Sequence, residues 1–263
     1  MSGRHAGDAA SVVFLLGMDS LVASDLRVGG LLGYSSGEFE LKEDVVSAVG
    51  HKSAYLGLYG AKEMGNLSLS VDWILSGHNV GTSRTVSFGD TDQEELSADH
   101  VAFSSQIVGE LSYRVLNDVG TSVSPFIRVG GSSFVGAAFS EDGVNALSVS
   151  KTRFNSLVVT LGLKGVSCIK DCTMPSASGF YYMAGFRKTL LPMDVSSVSV
   201  KFRDIEHSAY SVPGIRSRYG SLVLGFGLDF GTLDNLSLSI GYHGLFSEIL
   251  RVGGIKVDLR WSF

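Results

Sequence analysis

The chain has 263 residues, 44% of them hydrophobic and only 18% charged, with 33 glycines and a formal net charge of −5. That acidic balance, with no basic stripe, argues against nucleic acid as a partner. The length fits one large domain or two ordinary ones, and no Pro-rich, charged or low-complexity linker divides it, so one domain over 1–263 is expected.

At the N-terminus, MSGRHAGDAAS lacks the apolar core and cleavage site of a signal peptide, so the start is expected to be that of a fragment or a processed product. The apolar stretch that follows, SVVFLLGMDSLVA, is shorter than the roughly 20 residues a spanning helix needs, and it contains Asp19. Its period is two, and so is the rest of the chain's. Eleven alternating segments are predicted as strands: 10–23, 26–41, 53–64, 67–82, 100–116, 123–138, 149–166, 179–190, 217–230, 236–246 and 251–263. LSLSVDWIL sets Leu67, Leu69, Val71, Trp73 and Leu75 against Ser68, Ser70 and Asp72. SLVLGFGLDF repeats the pattern with Leu222, Leu224, Phe226, Leu228 and Phe230. Short turns at Ser24-Asp25, Gly65-Asn66, NDVGTS and GTLDN suit tight hairpins. They alternate with longer polar loops near 42–52, 83–99, 139–148 and 191–216. The link 167–178 is a longer turn on the short side, and 247–250 a short one on the long side.

The class is all-β, an antiparallel meander, and the composition of its two faces says what they touch. A soluble sheet exposes Lys and Glu on its wet face, whereas here the non-apolar face is Gly and Ser with single charges of both signs. Asp19, Arg27, Asp72, Glu110, Arg114, Arg128, Lys164, Arg187, Asp229, Lys256, Asp258 and Arg260 all fall on that face. They are read as lining a narrow polar lumen, with opposite charges able to pair across it. Apolar-out, polar-in alternation in such segments is the signature of a transmembrane β-barrel. Tyr34, Trp73, Tyr113, Phe230, Tyr242 and Trp261 near strand ends suit interfacial girdles. The final strand alternates without a break through Ile255, Val257, Leu259, Trp261 and Phe263. A barrel strand ending on Phe is expected to act as an insertion signal for the outer-membrane assembly machinery. A buried edge strand of a soluble protein is the competing reading.

The order of motifs resembles the C-terminal translocator β-domain of autotransporters, the type V secretion family. FLLGMDS and LRVGGLLGYS are followed by YLGLYGA, GELSYRV, SPFIRVGG, AFSEDG, LVVTLGLKG, GFGLDF, SIGYHG and DLRWSF, in the family's order from Ala10 to Phe263. The resemblance implies a twelve-strand outer-membrane barrel of a Gram-negative bacterium, its pore plugged by a helix, with loops at the cell surface. It implies export of an N-terminal passenger, and as partners outer-membrane lipid, the assembly machinery and the protein's own passenger. A monomer is expected, with no cofactor. The chain matches only the last eleven strands. Parity says the same, since bacterial barrels usually have an even strand number. The first strand, the helix and the passenger are therefore expected upstream.

Chemical motifs carry little beside this pattern. GYSSG, 33–37, matches Gly-x-Ser-x-Gly, but Ser35 lies in a continuing strand rather than a strand–turn–helix elbow. GFGLDFG lacks dinucleotide spacing. Asp90, Asp92, Glu94, Asp99 and His100 cluster in one loop and read as solvated acid rather than a protease site. His243 reads as a lumen residue rather than a base. No metal site is expected: Cys168 and Cys172 have no His nearby in sequence. A local Cys168–Cys172 disulfide is the reading favoured in an oxidising compartment, with two free thiols as the alternative. The chain itself is therefore read as not an enzyme. The alternatives to translocation are a stand-alone adhesin or surface-antigen barrel and, behind it, an outer-membrane hydrolase.

Overall fold

The computed structural model describes residues 7–41, 47–88, 92–118, 120–170, 178–191, 198–205, 209–212, 220–233, 236–248 and 250–261. In chain order its strands are β1 (Gly7–Ala23), β2 (Leu26–Leu41), β3 (Ser47–Met64), β4 (Leu67–Phe88), β5 (Asp92–Tyr113), β6 (Leu116–Asp118), β7 (Thr121–Gly136), β8 (Phe139–Ser140), β9 (Leu147–Val149), β10 (Thr152–Lys170), β11 (Ser178–Leu191), β12 (Val198–Phe202), β13 (Tyr210–Val212), β14 (Ser221–Leu233), β15 (Leu236–Phe246) and β16 (Arg251–Trp261). Eleven long strands form one wall in the order β1-β2-β3-β4-β5-β7-β10-β11-β14-β15-β16, each antiparallel to its neighbour, with β6 pairing β7. The wall curls on itself. Leu31 on β2 and Val252 on β16, near opposite ends of this order, line one cavity.

The alternation explains both faces. Phe14, Leu16 and Met18 are 70%, 78% and 70% exposed, and Ile255, Val257, Leu259 and Trp261 are 63–80% exposed. Leu56, Ile107, Leu161, Phe186 and Phe226 continue this belt around the wall, each more than half exposed. Burying each such side chain in an apolar medium is worth about 1.5–3 kcal/mol, so a belt of this extent fits lipid, not water. On the inner face, large rings lie over glycines. A Cβ at Gly29 would overlap the Tyr59 ring, and one at Gly227 or Gly241 would overlap Tyr181. Glycine there lets the ring lie flat against the neighbouring strands. Gly65 and Gly120 take positive φ, 63° and 75°, in the short turns after β3 and before β7.

Two expectations about the loops are corrected. The predicted loop 83–99 largely belongs to β4 and β5, which run 22 residues each, and β3 begins at Ser47 within the predicted loop 42–52. Above the belt the alternation continues but its polarity inverts. Leu96 and Ala98 point inward and are buried, while Glu95, Ser97 and Asp99 point outward and are exposed. A strand wet on its outer face no longer carries the lipid-facing pattern. The predicted loops 139–148 and 191–216 hold a second, four-stranded sheet, β13-β12-β9-β8. Cys168 is disulfide-bonded, and Cys172 lies outside the described residues.

Among the described residues β1 and β16 each pair on one edge only, with β2 and β15 respectively. An odd number of antiparallel strands makes these two edges run in the same direction. All of β1 is exposed, and all of β16 except Asp258.

Candidate functional site: the barrel lumen and its outer cap

The inner wall is organised around Glu110, whose side chain is 9% exposed. It sits directly opposite Arg128 in the β5–β7 register. Arg128 Nε donates to Glu110 Oε2 at 2.8 Å, and Lys164 Nζ donates to Oε1 at 2.5 Å. The Arg128 guanidinium also lies 5.4 Å from the Phe126 ring centre. Asp72, Arg187, Tyr59 and His243 join Glu110 and Arg128 around a cavity of about 650 Å³. A second cavity, about 380 Å³, reaches the short-turn end at Gly65 and Asn66 and includes Arg114, Lys164 and Tyr181. Both cavities are lined by Met183 and His243, so they lie next to each other along the interior.

Further ion pairs lie along the wall. Asp19 meets Arg27 at 3.4 Å and accepts the Tyr59 hydroxyl at 3.0 Å. Arg114 lies 3.9 Å from Glu63, and Lys256 lies 2.9 Å from Asp258 on the same strand. The expectation of pairing across the channel is thereby corrected. These partners sit on the same or nearby strands, where neighbours in register are already within reach. Asp229 and Arg260 stand on the inner face by register, at Asp229↔Ser239 and Ser237↔Arg260.

Toward the long-loop end the interior fills. His78 bonds Ser53 Oγ through Nδ1 at 2.8 Å and Ser104 Oγ through Nε2 at 2.9 Å. Ser35 and Tyr55 share a hydrogen bond of 2.8 Å. Phe134 and Phe154 stack above them with ring centres 4.6 Å apart. Ser35 is 1% exposed and lies in the regular ladder between Val13 and Ser53, which removes it as a nucleophile.

The four-stranded sheet forms a cap at this end. It packs on the inward face of the β4–β5 extension, where Leu96, Ala98, Ala146 and Val200 are 0–7% exposed. Asp142 N donates to Ser97 O at 2.8 Å, and His100 stacks on Phe139 at 4.2 Å. Arg84 grips Glu141 with two bonds of 2.8 Å, and Glu141 also accepts the Leu147 N–H at 2.9 Å. Burial pushes the Glu141 carboxyl upward. The Arg84 hydrogen bonds, the Leu147 N–H and the Arg84 charge outweigh it and hold the group below the usual carboxylate range. Glu94 accepts Val144 N at 2.6 Å and Asn145 Nδ2 at 2.8 Å, and those bonds hold its carboxyl down. Arg203 donates to the carbonyls of Glu141 and Gly143 at 3.1 and 3.3 Å.

The predicted acidic cluster is therefore dispersed. Glu94 ties down the cap, Asp99 faces outward, His100 faces inward, and Asp90 lies outside the described residues. Among the described residues no group of three or more His, Cys, Asp or Glu could hold a metal. The inward rings of Tyr59 and Tyr181 and the whole cap have no counterpart among the residues expected from the sequence. The one available signal was the inverted alternation of Leu96 and Ala98 against Glu95 and Ser97.

A family model described as the autotransporter beta-domain matches residues 2–243. Two proteins of Serratia marcescens, both named extracellular serine protease, are 30% and 27% identical over 95% of this chain. The chain spans 23% of the length of each. Among solved structures, the translocator domain of autotransporter NalP from Neisseria meningitidis superposes with a TM-score of 0.74 at 16% identity, covering 100% of this chain and 83% of that one. The beta domain of the Bordetella autotransporter BrkA gives 0.67 at 18% identity, covering 98% and 93%. An eleven-strand meander with an apolar belt outside, charges inside and a match over nearly its full length to that family model identifies this chain as a member of the autotransporter β-domain family.

Proposed function

We propose that this domain anchors its protein in the outer membrane and passes an N-terminal passenger to the cell surface. The observation that carries the reading is the apolar belt wrapped around a polar interior, with a folded cap packed at its long-loop end. The long loops face outward from the cell and the short turns face the periplasm. Inward Gly, Ser and wall-paired charges line a path that offers an extended chain hydrogen bonds without gripping one sequence. The wall charges are Asp19, Arg27, Asp72, Glu110, Arg114, Arg128, Lys164, Arg187, Asp229, Lys256, Asp258 and Arg260. The likeness to two extracellular serine proteases extends the reading to a passenger of that class.

The last strand addresses the barrel to the assembly machinery through Ile255, Val257, Leu259 and Trp261, which project outward, and Phe263, which lies outside the described residues. The barrel works as a monomer. One further antiparallel strand completes the wall between β1 and β16. Unpaired edges in lipid cost several kcal/mol per group, and direct β1–β16 closure would demand a parallel pair.

The test is surface display. An epitope-tagged segment joined ahead of Gly7 through one amphipathic strand should be labelled by antibody on intact cells. A tag that stays periplasmic behind a normally folded barrel refutes export. The same extension should raise the barrel's thermal stability in detergent, and no gain refutes the closing strand.

A further inference from the structure

On the outer face of β1–β5, just above the apolar belt, the wall carries a notch of about 580 Å³. It is built row by row from the register. One row reads Glu38–Gly50–Gly81–Asp99 across β2–β5, and the next row toward the belt places Lys52 beside Asn79. Gly50 and Gly81 are directly paired and form the floor. A Cβ at Gly50 would meet no atom within 4 Å, and one at Gly81 would sit 3.0 Å from the Asp99 carboxylate. The backbones of Glu38 and Asp99 stand three strand spacings, roughly 14 Å, apart, and the Asp99 carboxylate leans over Gly81 from its strand. Among the described residues Glu38, Lys52 and Asn79 make no side-chain hydrogen bond or ion pair. Acceptors, a donor amide and an ammonium thus converge on an open concavity with their bonding capacity unused.

Below the notch the wall enters the belt. The next outward row reads Tyr34–Ala54–Gly77–Phe103. Tyr34 and Phe103 are 47% and 64% exposed; the Phe103 ring leans over Gly77, 3.7 Å from where a Cβ would stand, and the small Ala54 leaves the slot between the two rings. A polar floor above and a small-residue slot between two rings below match an amphiphile lying against the barrel, head up and chain down. A soluble sugar would use only the upper half.

We propose that this notch binds one phosphorylated glycolipid of the outer leaflet, its sugar headgroup over Gly50 and Gly81 and an acyl chain between Tyr34 and Phe103. Glu38 and Asp99 accept sugar hydroxyls, Asn79 bonds a hydroxyl or amide, and Lys52 takes a phosphate. The proposal rests on the orientation given above, with the long loops outside the cell.

The test is native mass spectrometry of the folded, detergent-solubilised protein with purified lipid A, with phosphatidylglycerol and with glucosamine 6-phosphate as separate probes. One lipid A should be retained. Lys52→Met should weaken it about tenfold, the effect of losing one charge-assisted hydrogen bond. Gly50→Phe, which fills the floor, should abolish it. Heat-modifiability confirms folding, and Lys52→Met decides alone if Gly50→Phe does not fold. Phosphatidylglycerol retained as strongly as lipid A, lipid A retained equally by both variants, or glucosamine 6-phosphate bound as well as lipid A would each overturn the assignment. Lipid A binding in detergent does not depend on membrane orientation, which is tested apart by labelling a cysteine placed at Val144 on intact cells. Periplasmic labelling there would refute the orientation and leave the binding result standing.

Discussion

Replacing Glu141 by Gln should loosen the cap while leaving the barrel intact. Glu141 holds three of the cap's hydrogen bonds, two from Arg84 and one from Leu147 N. Its side chain is 9% exposed and that of Arg84 is 25% exposed. Removing one partner of a fully buried pair costs about 3–5 kcal/mol. Arg84 keeps a quarter of its side chain in solvent, and Gln retains an acceptor, so about 2 kcal/mol is the expected loss. That corresponds to roughly 30-fold faster hydrogen exchange at the amides of Glu141, Asp142 and Leu147. Amides of β14 and β15 should not change. The same amides should report pH. Glu141 and Glu94 both have carboxyls depressed below 4.5 in the folded state. Their contribution is complete above that value and is lost as pH falls through the lower folded one, so the cap should open in acid before the wall does. In Glu141→Gln the acid step should shrink to the part that Glu94 contributes. Equal exchange in cap and wall amides, or an acid transition unchanged in the variant, would refute the latch.

Charge should be tolerated on one face only. Leu161→Arg points into the belt and should cost about 2–4 kcal/mol near the midplane, whereas Ser68→Arg on the inner face should be milder. Equal losses in urea titrations of vesicle-refolded protein would contradict the assigned faces. Gly241→Val should cost about 1–3 kcal/mol by overpacking against Tyr181, and Tyr181→Ala should recover part of that loss in the double variant. Additive losses would mean the ring and the glycine are not coupled. Deleting Phe263 or changing it to Ser should lower the yield of heat-modifiable barrel in outer membranes, and normal assembly of both variants would remove its role as a signal.

The wall was legible because alternation reports solvent directly. Leu67 to Leu75 and Ile255 to Trp261 name their lipid face without any knowledge of partners, and the twelve inward charges follow from the same parity. Partners were not legible, because parity gives a face but no register. Glu110 meets Arg128 rather than Arg187 only because β5 and β7 pair at that step. Tyr59 and Tyr181 were missed for a related reason. A tyrosine suits an interfacial girdle and a lumen equally well, and only the glycine opposite it on the next strand decides. The cap was missed because its strands are two to five residues long, too short for a period to show.

The two parts of the molecule are stabilised against two different solvents. The belt has no water to escape once inserted, so the wall is held by continuous ladders, by rings packed over glycine and by charges satisfied between neighbours. The cap stands in water and needs a core of the ordinary kind. It has one in miniature, Leu96, Ala98, Ala146 and Val200, and these are most of the deeply buried apolar side chains among the described residues. So small a core cannot hold a four-stranded sheet alone. Arg84, Glu94, Glu141 and Arg203 supply the rest through side-chain bonds to the cap, several of them to its backbone. A cap fastened by a few charged bonds, on a wall fastened by ten antiparallel ladders, is the element that can open while the wall stays paired. That is the order of stabilities a passage through this end of the lumen requires.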